Sequence, residues 1–146
     1  EQHGYYCYCV DCDPFAIETV WKVLREFGTW PKLLSGVTKV ELEDGAANTT
    51  VGALRTIHWE GQWRSQRLRE LSDLSHTAIW DLVATEPIAE TSGQVSTLKC
   101  FRITSTNQTL VSWTTDFSAE VQPSLIKFES QALSAALNDL VKGLHA

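Results

Sequence analysis

Residues 123–144, which read PSLIKFESQALSAALNDLVKGL, decide the fold of this chain. After Pro123 the apolar residues recur with the period of an α-helix, which predicts about twenty helical residues. One face of that helix carries Ile126, Ser130, Leu133, Leu137, Leu140, Val141 and Leu144. A helix with one apolar face must bury it against another layer of structure. The elements before residue 123 therefore have to supply that layer.

The middle of the chain alternates apolar and polar residues with a period of two, which is typical of β-strands. Short turns rich in Asp, Glu and Gly separate these segments at the spacing of hairpins. The predicted strands are 37–43, 51–59, 62–71, 77–84, 95–104 and 109–119. Consecutive strands joined in this way predict an antiparallel sheet.

The start of the chain has a different pattern. The aromatic segment 5–10 predicts one more strand, and Asp13 and Pro14 then suit the cap and first turn of a helix. Apolar residues at helical spacing predict that helix over 15–27, and a second short helix is predicted from Trp30 onward.

These elements predict a single α+β domain over residues 1–146. We expect a curved antiparallel sheet of about seven strands wrapped around the long C-terminal helix, with two short helices after the first strand. A sheet that curves around a helix leaves room for a pocket between the two layers. No internal repeat or linker interrupts the pattern.

Composition excludes some classes of partner. The 146 residues contain 12 Lys and Arg against 18 Asp and Glu, which gives a net charge of −6. Such a surface repels phosphate backbones, so we expect no nucleic-acid partner. No apolar run approaches the roughly 20 residues of a membrane span. The chain lacks Met and opens with Glu1, which predicts a trimmed N-terminus from which a targeting segment, organellar or secretory, has been removed.

The cysteines do not predict a metal site. Cys9 and Cys12 form a C-x-x-C pair, with Cys7 and His3 nearby, but no second pair follows at the spacing that zinc sites use. We therefore interpret these cysteines as small buried residues of a strand, and we expect neither a metal nor a cofactor.

Three groups of residues carry a resemblance to a known family. They are VWKVLREF at 20–27 followed by Trp30-Pro31-Lys32, VGALR at 51–55, and QRLREL at 66–71. In this order they resemble the START-like helix-grip (SRPBCC) superfamily. The similarity is to its polyketide-cyclase and lachrymatory-factor-synthase branch and, more distantly, to the abscisic-acid receptors. The resemblance covers nearly the whole chain and implies a ligand pocket between the sheet and the C-terminal helix.

Strand alternation then predicts which residues face that pocket. The resemblance implies that Arg55 points inward, and residues at even spacing from it share its face. The predicted ligand-binding residues are Arg55, Ile57, Trp59, Gln66, Leu68, Trp80, Leu82, Trp113 and Thr115 on strands, and Leu133 and Leu137 on the helix. Because three of them are Trp, the sequence leaves open whether the pocket is open or filled by indole rings.

Candidates for catalysis are Arg55, Gln66 and Glu70. In the lachrymatory-factor-synthase branch the resemblance implies an inward Arg acting with an inward Glu as proton donor. Here Gln66 occupies the position of that Glu, and an amide cannot donate or accept a proton as a general acid or base. Arg55 is expected either to bind an anion or to form an ion pair with Glu70 or another acid.

The abscisic-acid receptors also have a mobile loop of Ser-Gly-Leu-Pro type before the third strand. This chain has Trp59-Glu60-Gly61-Gln62-Trp63 at that place, which predicts a tight turn. The difference argues against hormone-gated signalling.

Three functions remain. We expect binding of a small hydrophobic ligand, with Arg55 and Gln66 as polar anchors, because Gln66 removes the titratable group of the enzyme branch. The first alternative is a polyketide cyclase, dehydratase or isomerase acting on a small lipophilic substrate. The second is an accessory subunit of a larger protein assembly, with a vestigial pocket, that docks through Tyr5, Tyr6 and Tyr8.

Overall fold

The protein is built on one antiparallel sheet. A computed structural model describes residues 6–89, 91, 93–118 and 120–145, with the backbone alone for residues 6–13. The strands are β1 Tyr6–Asp13, β2 Val37–Leu42, β3 Leu54–Trp59, β4 Gln62–Ser72, β5 Thr77–Glu86, β6 Gln94–Ile103 and β7 Gln108–Phe117. They lie in the order β1-β7-β6-β5-β4-β3-β2. Every strand after β2 pairs with its neighbour in sequence, as hairpin spacing predicted, and β1 pairs with β7.

Three helical segments complete the described chain: α1 Ile17–Leu24, a 3₁₀ helix Trp30–Leu33, and α2 Pro123–Leu144. The predicted cap at Asp13 is wrong, because Ala16 precedes the first residue of α1. Asp13 instead belongs to β1, where it pairs with Thr109 of β7. The ladder to β7 keeps this part of the backbone extended beyond the predicted end of the strand.

The core lies between the sheet and the helices. On α2 the side chains of Leu133, Leu137 and Leu140 are buried, as the helical periodicity predicted. They belong to one apolar cluster with Leu68 of β4 and Val111 of β7. Each fully buried aliphatic side chain of this kind contributes about 1.5–3 kcal/mol through removal from water.

A bulge in the β4–β5 pair changes which residues face the core. The register shifts between Leu68, which pairs with Trp80, and Glu70, which pairs with Ile79. Arg69 is therefore an extra residue on β4, and such a residue bends the strand and increases its twist. Leu68 is buried while Glu70 is exposed. The prediction that Glu70 shares a face with Gln66 and Leu68 is wrong, because strict alternation ends at the bulge.

The turn between β3 and β4 is as tight as the sequence predicts. Trp59 pairs directly with Gln62, so that only Glu60 and Gly61 connect the strands. Gly61 has a φ of +76°, a conformation that favours glycine.

The fold is α+β, a seven-stranded antiparallel sheet with a long C-terminal helix against it, and it confirms the predicted helix-grip architecture. None of the helices in the described residues has the length and apolar character needed to cross a membrane.

Candidate ligand-binding site

A cavity of about 350 Å³ lies between the sheet and α2. Strands β3, β4 and β7 form one wall, α2 forms the other, and the segment around the 3₁₀ helix closes one side. The lining residues are Trp30, Leu34, Ser35, Arg55, Ile57, Trp59, Gln62, Arg64, Gln66, Trp113, Phe128, Glu129, Ala132, Leu133, Ala135, Ala136 and Asp139. The volume falls within the range of pockets that hold small molecules.

The structure brings several of the predicted pocket residues to this cavity. Those that line it are Arg55, Ile57, Trp59, Gln66, Trp113 and Leu133. Alternation along β3 is regular, which places the first three on one face. Arg55 and Gln66 are direct partners in the β3–β4 ladder and therefore reach the cavity together.

Other predicted pocket residues do not line the cavity. Leu68, Trp80 and Leu137 are buried in the core. Thr115 is also buried, and its hydroxyl lies 3.1 Å from that of Ser96 across the β6–β7 pair. Leu82 lines a second cavity of about 280 Å³, formed by the end of β5 and the residues after it.

Trp30 explains why Trp80 is not at the cavity surface. Its indole ring lies 5.9 Å from the ring of Trp80 and 5.5 Å from that of Trp113, between centroids. Trp80 and Trp113 are 5.8 Å apart. The three rings fill the inner end of the space, with Trp80 behind the other two. Indole rings therefore occupy part of the predicted pocket, and an open cavity remains beside them.

Sequence reasoning missed the part of the lining that α2 contributes beside its apolar face. Glu129, Ala132 and Ala136 are spaced by one helical turn each and lie next to Leu133 on the helix surface. Their spacing was visible in the sequence. Small residues at such positions leave room between a helix and a sheet, which is the signal that would have identified this wall.

Arg55 is the most unusual residue of the site, because its side chain is 1% exposed. Its Nε–H donates a hydrogen bond of 2.9 Å to Gln66 Oε1, and Nη1–H donates one of 2.8 Å to the carbonyl of Phe27. The guanidinium also lies over the rings of Phe27, Trp80 and Trp30, at 4.0, 4.8 and 4.9 Å from their centroids. Burial holds the pKa of Arg55 well below its usual range.

The predicted ion pair of Arg55 with Glu70 is wrong. Glu70 is exposed on the other side of the bulge. Among the described residues, the ion pairs do not include Arg55. Its two hydrogen-bond acceptors are neutral, so within this part of the chain its charge is solvated by an amide, a carbonyl and aromatic faces.

The polar atoms at the inner end of the cavity are mostly donors. Gln66 Oε1 is taken by Arg55, which leaves the amide NH₂ of Gln66 as a donor. The buried indole N–H groups of Trp30, Trp80 and Trp113 have no hydrogen-bond acceptor among the described residues. A buried donor without an acceptor costs stability, so this arrangement favours an acceptor-rich guest.

The outer part of the cavity carries a compensated charge pair. Glu129 of α2, which is buried, accepts a 2.9 Å hydrogen bond from Nη2 of Arg64 on β4. Asp139 is half-buried, and its Oδ2 accepts from the backbone N–H of Ser35 at 3.0 Å. Both lining carboxylates thus have partners, and the Arg64–Glu129 pair ties the helix to the sheet.

Metal ligands do not cluster within the described chain, where no three His, Cys, Asp or Glu side chains come together. His3 and the side chains of Cys7, Cys9 and Cys12 lie outside the described residues, and so do those of Tyr5, Tyr6 and Tyr8. The predicted docking through these tyrosines stays a prediction.

Solved structures of low sequence identity share this fold. A structural-genomics protein from Nitrosospira multiformis superposes with a TM-score of 0.85 at 17% identity, covering 96% of both chains. An uncharacterized protein from Bacillus thuringiensis gives 0.80 at 19% identity, covering 97% of this chain and all of that one. The protein XoxI from Bacillus cereus gives 0.75 at 19%, covering 95% and 92%. At these identities the likeness concerns the fold alone.

No curated protein matches the chain. A family model matches residues 14–145. This range includes the three groups of residues that carry the resemblance, the three helical segments of the described chain and strands β2 to β7. These residues match the family described as polyketide cyclase / dehydrase and lipid transport, and the chain belongs to that family.

Proposed function

We propose that the protein binds a small, mainly apolar molecule in the cavity between the sheet and α2. The observation that carries this proposal is the cavity of about 350 Å³ with a buried arginine in its wall. The family description, polyketide cyclase / dehydrase and lipid transport, supports a hydrophobic ligand.

The walls of the cavity favour an apolar body for the ligand. Ile57 and Trp59 of β3 face Leu133 and Ala136 of α2 across it. Apolar surface that a ligand removes from water here is worth about 25 cal/mol per Å² before the cost of association. Arg55 and Gln66 supply the polar groups that fix the orientation of the ligand.

The polar side chains that line the cavity suit ligand binding better than acid–base catalysis. Gln66 has no titratable proton. Of the carboxylates that line the cavity, Glu129 accepts from Arg64 and Asp139 accepts from the backbone of Ser35. Both carboxylates are therefore already engaged in hydrogen bonds within the folded protein.

Glu129 is the observation that favours a second candidate, an enzyme of the cyclase or dehydratase type. It is a buried carboxylate at the wall of an apolar cavity, a setting in which proton transfer is effective. For this candidate we expect the wild-type protein to convert a bound polyketide-like compound chemically, and the variant Glu129→Gln to lose this conversion. Mass spectrometry of the compound before and after incubation measures it. A ligand recovered unchanged from wild-type protein contradicts it.

The proposed binding is tested with an uncharged fluorescent probe, N-phenyl-1-naphthylamine. We expect wild-type protein to bind it and to raise its fluorescence. The variant Ala136→Phe fills the cavity from α2 and should weaken binding about tenfold or more. Gln131→Phe is the matched control, because Gln131 is exposed on the same helix and does not line the cavity.

Circular dichroism and urea unfolding test whether both variants keep the fold, which we expect. Equal binding by wild type and Ala136→Phe, or binding lost equally in Gln131→Phe, contradicts the proposed site.

A further inference from the structure

We infer that the ligand of this cavity is an apolar molecule with one carboxylate, and that Arg55 receives the carboxylate with help from the indole N–H groups of Trp30 and Trp113. The inference rests on the proposed function and names the class of its ligand. It follows from three features of the inner end of the cavity.

The first feature is unused hydrogen-bonding capacity on Arg55. A guanidinium has five N–H donors. Gln66 and Phe27 take one each, which leaves three without an acceptor among the described residues. Because Gln66 holds Nε–H and Phe27 holds one Nη1–H, the guanidinium is fixed in place while part of it remains available at the cavity wall. Two parallel N–H groups of a guanidinium match the two oxygens of a carboxylate.

The second feature is that two of the three buried indole N–H groups without an acceptor in the described chain belong to residues of the cavity wall. Trp30 and Trp113 both line the cavity, and each has a buried Nε1–H without an acceptor in the described chain. A Trp side chain can only donate through this group. The guanidinium of Arg55 lies 4.9 Å from the centroid of the Trp30 ring. A guest that offers hydrogen-bond acceptors satisfies donors of this kind.

The third feature is the balance of charge. The charged lining residues are Arg55, Arg64, Glu129 and Asp139. Arg64 and Glu129 neutralise one another at 2.9 Å. Asp139 is only half-buried and takes the N–H of Ser35. Arg55 is thus the lining charge that is buried without an opposite charge in the described chain. A singly charged anion neutralises it, whereas a dianion leaves a buried negative charge uncompensated.

The test compares 2-naphthoate with 2-naphthamide, which have nearly the same shape and differ in charge. Octanoate and octanamide provide a second matched pair with a flexible body. Isothermal titration at pH 7 measures the affinities of wild type, Arg55→Gln and Arg69→Gln. Arg69 is the control, because it is the extra residue of the β4 bulge, forms an ion pair with Asp81 at 3.2 Å and does not line the cavity.

We expect wild type and Arg69→Gln to bind each carboxylate about tenfold or more tightly than its amide, as one added charge-assisted hydrogen bond predicts. In Arg55→Gln the two members of each pair should bind with similar affinity. The comparison within wild type needs no variant, so the inference remains testable even if Arg55→Gln does not fold.

Two other results overturn the inference, and they differ from each other. If wild type binds each amide as tightly as the carboxylate, the N–H donors of the cavity bind water or a neutral acceptor. The inference of a carboxylate ligand is then wrong, and the proposed binding function is unaffected. If wild type binds neither pair and does not bind N-phenyl-1-naphthylamine, the proposed function fails and the inference fails with it.

Discussion

The inner end of the cavity and its outer part each contain an arginine, but their charges are balanced differently. Arg64 lies 2.9 Å from the carboxylate of Glu129, and its side chain is 28% exposed. Arg55 is 1% exposed, and its described acceptors are the neutral oxygens of Gln66 and Phe27. The outer arginine has an anion supplied by the fold, and the inner arginine does not.

This difference indicates that the two arginines of the cavity have different roles. A charge pair such as Arg64–Glu129 connects α2 to β4, and its geometry is complete in the folded protein. A buried guanidinium without a counter-ion is costly, because burial in a medium of low polarity penalises its charge. The proposed ligand would supply the opposite charge that Arg55 lacks in the described chain, whereas the charge pair of Arg64 holds the two walls together.

The largest expected effect is a loss of folding stability when a tightly packed side chain at the inner end of the cavity is removed. Trp80→Ala removes a side chain that is 1% exposed and supports Trp30 and Trp113 at the inner end. We expect the free energy of unfolding to fall by about 3–5 kcal/mol in urea titration. Phe128→Ala at the outer part should change it by less than about 0.5 kcal/mol, because Phe128 is 61% exposed. Equal effects would show that the inner end is not the better packed region.

A smaller effect is expected from the outer charge pair. Glu129→Gln should lower the free energy of unfolding by about 1–2 kcal/mol, because Glu129 is buried and loses a charge-assisted hydrogen bond. Together with Arg64→Met it forms a double-mutant cycle, for which we expect a coupling energy of about 1 kcal/mol.

The matched exposed pair, Arg69 with Asp81, provides the control for that cycle. Its Arg side chain is 57% exposed, and its coupling should be smaller. Additive effects of Glu129→Gln and Arg64→Met would mean that the outer pair does not connect the walls.

The smallest effect concerns a charge pair outside the cavity. The pKa of Asp73 is lowered from 3.8 to about 2, first by the hydrogen bond from Arg25 and then by that from Trp21. A lowered pKa stabilises the folded state above about pH 4, and this contribution is lost as the pH falls from about 4 toward 2. Because Asp73 is mostly exposed, solvent screening keeps the contribution small.

We expect Asp73→Asn to be slightly less stable than wild type at pH 6, and the difference to shrink when urea unfolding is repeated at pH 3. A difference that grows at pH 3 would contradict the assigned pKa. Neither the ligand preference nor the Arg64–Glu129 coupling should change in this variant, since Asp73 does not line the cavity.

Part of the site follows directly from strand pairing. Arg55, Ile57 and Trp59 reach the cavity because β3 is regular, and Gln66 joins them because the two-residue turn at Glu60 and Gly61 sets the register. A period of two and a tight turn are local properties, so the sequence contains them. Glu70 departs from this rule, since a single extra residue at the bulge reverses the face of everything that follows.

The sequence by itself determined the α+β class, the succession of hairpin-linked strands and the long C-terminal helix, and the family resemblance implied that Arg55 points into a pocket. Only the tertiary structure decided that Trp30 covers Trp80, that Glu129 neutralises Arg64, and that Arg55 has no acid beside it in the described chain. The physical reason is distance along the chain. Glu129 and Arg64 are 65 residues apart, and contacts of this kind depend on how whole elements pack and not on local periodicity.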